Sequence, residues 1–212
     1  MENTTYYFEE KKPENTDVLL DLVKKKALGR SIKYIVVAST RGGTGVKTAE
    51  VFKGLGVNVI VVTHQIGPSG PELLKDNEEK IKTLGAKIIT CTHAFGGVGS
   101  SLKGAQFKRP SQPTPQDYWP PYTPPIGELI ANVLRIFSQG MKVCIEITLM
   151  AADAGAIPIG ESVIAIAGQG GGADTAIIIK SANANSFFDL DVQEIIAKPI
   201  KKSLPVLTKK NQ

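Results

Sequence analysis

The chain has 212 residues, of which 42% are apolar, 21% charged and 6% aromatic, and this balance predicts one globular domain, residues 1–212, with a sizeable core. Its net charge of +5 comes from 25 basic and 20 acidic residues that form no contiguous basic stripe, so we expect no nucleic acid as a partner. Both cysteines lie inside apolar runs and no secretory signal or membrane span is recognised, so we expect a cytoplasmic protein without disulfides.

The first part of the chain alternates between predicted helices and strands. A helix over "NTDVLLDLVKKKALG" ends near Gly29 and is followed by the strand "KYIVVAS". The pairs "GVKTAEVFKGLG" and "VNVIVVTH", then "PELLKDNEEKIKTLG" and "AKIITCTH", repeat this order of helix and strand. The strands are apolar without alternation, as expected when both faces are buried, and the pattern predicts an open parallel α/β sheet.

The middle of the chain interrupts this alternation. Residues 103–125, "KGAQFKRPSQPTPQDYWPPYTPP", are rich in proline and predict a long excursion or lid. Two helices follow, "IGELIANVLRIFSQG" and "MKVCIEITLMAADAG". The second is apolar nearly all round, so it is predicted to be the most buried helix.

The last third predicts how the sheet is completed. The strands "ESVIAIAG" and "TAIIIKSA" are joined by a short glycine loop and must be antiparallel neighbours. We therefore expect a three-layer, mostly parallel sheet with one antiparallel edge strand, "TAIIIKSA", whose free edge could pair subunits in a homo-oligomer. A short helix, "DLDVQEIIA", is predicted to end at Pro199.

Four loops at the carboxyl edge of the predicted sheet carry polar and small residues. They read "ASTRGGTG", "VTHQIGPSG", "CTHAFGG" and "AGQGGGAD", and ligands of such folds bind outside this edge. The only two histidines, His64 and His93, each follow a Thr at a strand end, where they either have a structural role or line a site. Cys91 and His93 lack further partners, so no metal site is predicted.

The first of these loops fails the strict nucleotide-binding patterns. Val46 separates Gly45 from Lys47, which excludes a Walker P-loop, and Thr48 stands where a dinucleotide fingerprint needs its third glycine. Two interpretations stay open: an anion nest for a terminal phosphate monoester, or a glycine turn that merely begins a helix. The candidate phosphate-binding residues are Ser39, Thr40, Gly42, Gly43 and Thr44.

The predicted buried helix carries charges at helical spacing. Lys142, Glu146, Met150 and Asp153 fall on one face. Either Lys142 and Glu146 form an ion pair at the surface, or Glu146 and Asp153 lie at the wall of the crevice.

Several motifs, taken in order, resemble a known family. "IVVASTRGGTG", "VVTH" and "GESVIAIAGQGGGADTAIII" resemble the C-terminal, allosteric domain of pyruvate kinase. The likeness is closer to small stand-alone archaeal and bacterial proteins built on that domain, and it covers nearly the whole chain. Members of this family look like FMN binders, and FMN ends in a phosphate monoester.

The resemblance implies an FMN-binding protein of unassigned, redox-type activity whose first strand–helix loop holds the flavin phosphate. The proline-rich excursion is longer here than in the family, and Tyr118, Trp119 or Tyr122 could stack on the flavin or form an oligomer contact. One alternative is a regulatory module that senses a phosphorylated metabolite without catalysis; another is a hydrolase or isomerase that uses the histidines. The further residues implied at the ribityl chain, the ring or the far side are Thr63, His64, His93, Gly96, Gly97, Met150, Asp153, Gly168, Gly170 and Gly171.

Overall fold

The structure is a computed structural model that describes residues 3–99 and 124–201. Nearly all of the predicted proline-rich excursion, including Trp119, lies outside these residues. The elements in chain order are β1 (Tyr6–Phe8), α1 (Asn15–Gly29), β2 (Tyr34–Ala38), α2 (Gly43–Phe52), β3 (Asn58–His64), α3 (Lys75–Thr83), β4 (Lys87–Cys91), α4 (Ile126–Leu134), α5 (Gln139–Asp153), β5 (Ser162–Ala167), β6 (Thr175–Lys180), a 3₁₀ helix (Ala184–Asp189) and β7 (Asp191–Pro199).

The strands form one seven-stranded sheet in the order β1-β7-β6-β5-β2-β3-β4. β6 is antiparallel to both of its neighbours, whereas the remaining pairs are parallel. The predicted α/β class and the mostly parallel sheet are therefore confirmed, as is the antiparallel pairing of β5 with β6. The predicted edge position of β6 is wrong, because β7 covers its second side, so β6 has no free edge for pairing between subunits.

The segment predicted as a helix before Pro199 is β7. Val192, Ile195 and Ile196 have a spacing that fits a helix face, which is why the sequence suggested one. In the sheet, β7 instead pairs with β6 through two register shifts, and Glu194 is buried while Val192 is exposed. The open edge of β6 thus decides the conformation of this segment over its local pattern.

Helices cover both faces of the sheet and make three layers. Ile35 and Val37 of β2 belong to the core beneath α1, α2 and α3, and Val36 belongs to the core beneath α5; none of the three has exposed surface. This explains the apolar run without alternation in β2. As predicted, α5 is deeply buried, and none of the described helices is long and apolar enough to cross a membrane.

The order of the strands creates a crevice at one edge. From β2 the chain continues to β3 on one side, while β5 pairs with β2 on the other side. The connection from β2 to β3 runs through α2 on one face of the sheet, whereas the connection from β4 back to β5 runs through α5 on the other face. Ligands of open α/β sheets bind at such a switch point.

Candidate functional site

A cavity of about 1470 Å³ lies at this switch point. The turns after β2, β3, β4 and β5 form its floor, and α4 and α5 form one wall. Most of the residues predicted from the sequence come together here: Ser39, Thr40, Gly43, Thr44, Thr63, His64, His93, Met150, Gly168, Gly170 and Gly171 line the cavity.

The first turn presents the N-terminus of α2 to the cavity. The Ser39 hydroxyl accepts a hydrogen bond from the Gly45 N–H at 3.0 Å, which orders the turn. The N–H groups of Gly43 and Thr44 belong to the first turn of α2, where a helix has no internal acceptor for them. A Cβ at Gly43 would meet no atom of the described residues within 4 Å, so open space lies beside these donors. This is a cradle of the kind that holds anions at helix N-termini.

The loop after β5 is a second glycine turn on the cavity. Gly170, Gly171 and Gly172 have φ values of 88°, 74° and 142°, which favour glycine. Thr16 of α1 anchors the loop, because its hydroxyl accepts a hydrogen bond from the Ala173 N–H at 2.9 Å. The loop therefore holds a defined backbone shape, and its three consecutive glycines let a ligand approach the main chain.

The two histidines lie side by side. The ring centroids of His64 and His93 are 4.5 Å apart, with an angle of 68° between the planes. His64 Nδ1 is 3.2 Å from Glu72 Oε1, and His93 Nδ1 is 3.0 Å from Glu146 Oε2. Both rings thus have a carboxylate on the same nitrogen, and both line the cavity.

Glu146 is the centre of a buried polar cluster. Its carboxylate accepts hydrogen bonds from the Lys142 ammonium, from the Phe95 N–H at 3.1 Å and from His93. Burial alone would raise the pKa of Glu146, but the His93 hydrogen bond and the Lys142 charge outweigh it and lower the pKa from 4.5 to about 2. Burial in turn lowers the pKa of Lys142, although the Glu146 charge opposes this effect.

This cluster decides between the two interpretations of the charged helix face. Lys142 and Glu146 do form an ion pair, but the pair is buried rather than at the surface. Glu146 lies at the cavity wall, whereas Asp153 does not. Seven residues along a helix correspond to about 10 Å, which carries Asp153 past the end of the crevice. There its carboxylate accepts hydrogen bonds from Asn183 Nδ2 and from the Ala184 N–H, both at 3.0 Å.

Three predicted glycines shape the turns without lining the cavity. Gly42 has φ 94° and packs so closely that a Cβ would lie 2.5 Å from Asn77 Cβ. Gly97 has φ 67°, and a Cβ there would lie 2.8 Å from Thr92 Cγ2. Gly96 closes the turn after β4, since its N–H donates to the His93 carbonyl at 3.1 Å. Their contribution to the site is therefore indirect.

The sequence did not single out several charged residues that line the cavity. Arg41 and Lys47 flank the α2 N-terminus. Directly after α4, the Arg135 guanidinium donates hydrogen bonds to Gln139 Oε1 at 2.7 Å and to Asn132 Oδ1 at 2.8 Å. Arg41 and Lys47 stand within the first glycine loop or just after it, so their positions could have been inferred. Arg135 had no such signal, because its helix is separated from the strand ends by the excursion.

No group of three or more His, Cys, Asp or Glu residues that could hold a metal ion occurs in residues 3–99 and 124–201. The groups that the described residues present to the cavity are backbone donors, glycines, two histidines and charged side chains.

No protein-family model matches the chain. Among solved structures, it is similar to the NH3-dependent NAD synthetase from Campylobacter jejuni in complex with the nitrate ion, with 15% identity, 73% of this chain and 56% of that chain covered, and a TM-score of 0.33. It is also similar to a hydrogen sulfide-producing enzyme from Fusobacterium nucleatum, with 20% identity, coverages of 61% and 43%, and a TM-score of 0.29. The chain spans between 27% and 56% of the length of these and two further matches. Because the similarity is this weak, we transfer neither a family nor an activity, and the resemblance to the pyruvate kinase C-terminal domain stays a prediction.

Proposed function

We propose that the cavity binds FMN and that the N-terminus of α2 holds the flavin phosphate. The observation that carries this proposal is the open space at Gly43, where no atom of residues 3–99 and 124–201 would contact a Cβ, beside the Gly43 and Thr44 N–H groups, which have no acceptor among the same residues. A phosphate monoester fits such a position because helix N-termini combine free donors with a partial positive charge.

The surrounding charges and the size of the cavity support the same ligand class. Arg41 adds positive charge at the phosphate end, and Lys47 lies beside it with its ammonium paired to Asp17 at 2.7 Å. The volume of about 1470 Å³ exceeds the roughly 300–1,000 Å³ that is usual for small-molecule pockets, so a phosphate and a ring system fit together. Met150 and the 168–172 loop, which also line the cavity, would offer an apolar contact and backbone groups to a flat ring.

FMN, when bound, would supply redox chemistry, and the protein would bind, orient and shield it. Backbone donors of α2 would fix the phosphate, and the two glycine turns would admit the rest of the molecule close to the main chain. The histidines and charged side chains of the α4–α5 wall would then face whatever shares the cavity.

A regulatory module that senses a phosphorylated metabolite is the second candidate. The same α2 N-terminus favours it, because a phosphate monoester on a sugar would occupy the donors equally well. The two functions differ in what fills the rest of the cavity: a flavin ring in the first, and a smaller sugar in the second. Binding of the sugar phosphate would be detected as a rise in the stability of the protein.

The experiment that tests the proposal is a calorimetric titration with FMN, riboflavin and glucose 6-phosphate, together with an absorption spectrum of the purified protein. FMN is expected to bind about tenfold or more tightly than riboflavin, since riboflavin lacks the phosphate that accepts charge-assisted hydrogen bonds. Equal affinities would contradict the phosphate assignment. If neither flavin binds, but glucose 6-phosphate binds and raises the melting temperature, the FMN proposal is contradicted and the regulatory function is favoured.

A further inference from the structure

The turn after β4 places a histidine in the cavity with one nitrogen held and the other open. Glu146 Oε2 lies 3.0 Å from His93 Nδ1, and the His93 side chain is 33% exposed. An ionised carboxylate can only accept a hydrogen bond, so the proton of the neutral ring lies on Nδ1 and the lone pair on Nε2. Within residues 3–99 and 124–201, no protein group hydrogen bonds to Nε2.

Glu146 is fixed in a way that suits the orientation of a neighbouring ring. Its side chain is 1% exposed, and the Phe95 N–H at 3.1 Å holds the oxygen that does not contact His93. The Lys142 ammonium balances the charge of the carboxylate, which allows it to stay ionised in a buried position. Hydrogen bonds to a buried, satisfied anion are stronger than those to an anion in water.

The neighbouring pair serves as an internal comparison. His64 and Glu72 repeat the contact between Nδ1 and a carboxylate, at 3.2 Å, but their side chains are 40% and 54% exposed. Exposed pairs contribute little, because water competes for both partners. The two histidines therefore differ in how firmly the carboxylate fixes the ring, and His93 is the more firmly oriented one.

We propose that His93 is a proton-transfer residue of this cavity and that Glu146 is its positioning residue. The ligand class is a phosphorylated molecule that presents an O–H or N–H group to His93 Nε2. The proton passes from the ligand atom to Nε2, the bonding electron pair stays on the ligand atom, and the ring becomes an imidazolium facing the Glu146 carboxylate. Return of the proton restores both partners. The proposal rests on the cavity of the proposed function but not on FMN as its occupant.

The first test uses 1H–15N NMR to determine which ring nitrogen of His93 carries the proton. The chain has two histidines, so in His64→Asn every histidine signal belongs to His93. We expect the Nδ1–H form to dominate there at a pH where the ring is neutral, and Glu146→Gln on this background to change the tautomer ratio by about tenfold or more. A dominant Nε2–H form, or an unchanged ratio, would overturn the proposal. The His64→Asn spectrum alone decides the point if Glu146→Gln does not fold.

A matched pair controls for nonspecific effects of these substitutions. In His93→Asn the remaining signal belongs to His64, and Glu72→Gln is expected to change its tautomer ratio far less than Glu146→Gln changes that of His93. An equal response would show that burial of the carboxylate gives His93 no special orientation, which would overturn the role of Glu146.

The second test measures whether the open nitrogen is available as a base. Diethyl pyrocarbonate acylates unprotonated imidazole nitrogens, and mass spectrometry gives the rate at His93 in His64→Asn. We expect acylation of His93, slowed by bound FMN or, if FMN fails to bind, by glucose 6-phosphate. An unreactive His93 in the folded protein without ligand would overturn the proposal. Failure of FMN alone to protect, with protection by glucose 6-phosphate, would contradict the FMN assignment and leave the proton-transfer role supported.

Discussion

Gly42 and Gly43 are adjacent in the chain, yet a Cβ at Gly42 would lie 2.5 Å from Asn77 Cβ, whereas a Cβ at Gly43 would meet no atom within 4 Å in the part of the chain that the structure describes. The first glycine therefore serves the fold, and the second leaves room for a ligand. Since only Gly43 lines the cavity, substitutions at the two positions separate stability from binding.

Gly43→Val is expected to weaken FMN binding by about tenfold or more, because the side chain fills the space that the phosphate needs beside the helix donors. The measurement is the calorimetric Kd of FMN. Gly29→Val is the matched control, since Gly29 also has open space around it but lies at the end of α1, away from the cavity. If the two variants bind FMN with equal affinity, the assignment of the phosphate to the α2 N-terminus is contradicted.

Gly42→Ala is expected to destabilise the protein by more than about 1 kcal/mol, since φ 94° and the close Asn77 side chain both disfavour a Cβ. Urea unfolding, followed by circular dichroism, measures the change in unfolding free energy. Gly43→Ala serves as the control and should unfold close to the unmodified protein. The interpretation of Gly42 fails if both variants have the same midpoint.

Lys142→Met is expected to lower the unfolding free energy by about 3–5 kcal/mol, because it leaves the Glu146 carboxylate buried without its balancing charge. The exposed Glu78–Lys82 pair has the same residue types four positions apart, so Lys82→Met should cost no more than about 0.5 kcal/mol. Urea midpoints of both variants test the difference. Replacing Lys142 by Met and Glu146 by Leu together should recover part of the loss.

Acid is expected to destabilise the fold through Glu146. Its folded pKa of about 2 lies below the ordinary 4.5, so its contribution is present above pH 4.5 and is lost as the pH falls towards 2. The full effect is about 3 kcal/mol, measured as the difference in unfolding free energy across this interval. Glu146→Gln should reduce the dependence of the unfolding free energy on pH. If that dependence stays equally steep in the variant, other titratable groups cause it. Asp174 has the opposite effect on the unfolding free energy: burial raises its pKa, so at this residue acid favours the folded state.

The sequence predicts most of the parallel half of the sheet and the edge at which the cavity lies. The unbroken apolar runs of β2 and β3 need two covered faces, and parallel strands bring their carboxyl ends to one edge, which is why His64 and His93 could be expected near the first glycine loop. The strand β7 could not be predicted, because its spacing of Val192, Ile195 and Ile196 also fits a helix. That error explains the second one: without β7, β6 had only β5 as a neighbour and was placed at the edge of the sheet.

Within the candidate site, residues of a single turn could be predicted from the sequence, whereas contacts between distant parts of the chain could not. Gly43 and Ser39 follow from a turn whose geometry is encoded within a few residues. The contact between His93 and Glu146 joins positions 53 residues apart and depends on how α5 crosses the sheet, which no local pattern specifies. Asp153 was included for its helical spacing alone, and the length of the helix carried it beyond the crevice.

The pairing of β1 with β7 has a consequence for the order of assembly during synthesis. Thr5 beside β1 donates to the Ile195 carbonyl at 2.9 Å across a separation of 190 residues. A ribosome that adds about 5–20 residues per second delivers β7 roughly 10–40 s after β1. Over that interval Phe8, a buried residue of the finished core, lacks the neighbouring strand β7, so β1 is synthesised long before it can take its place in the sheet.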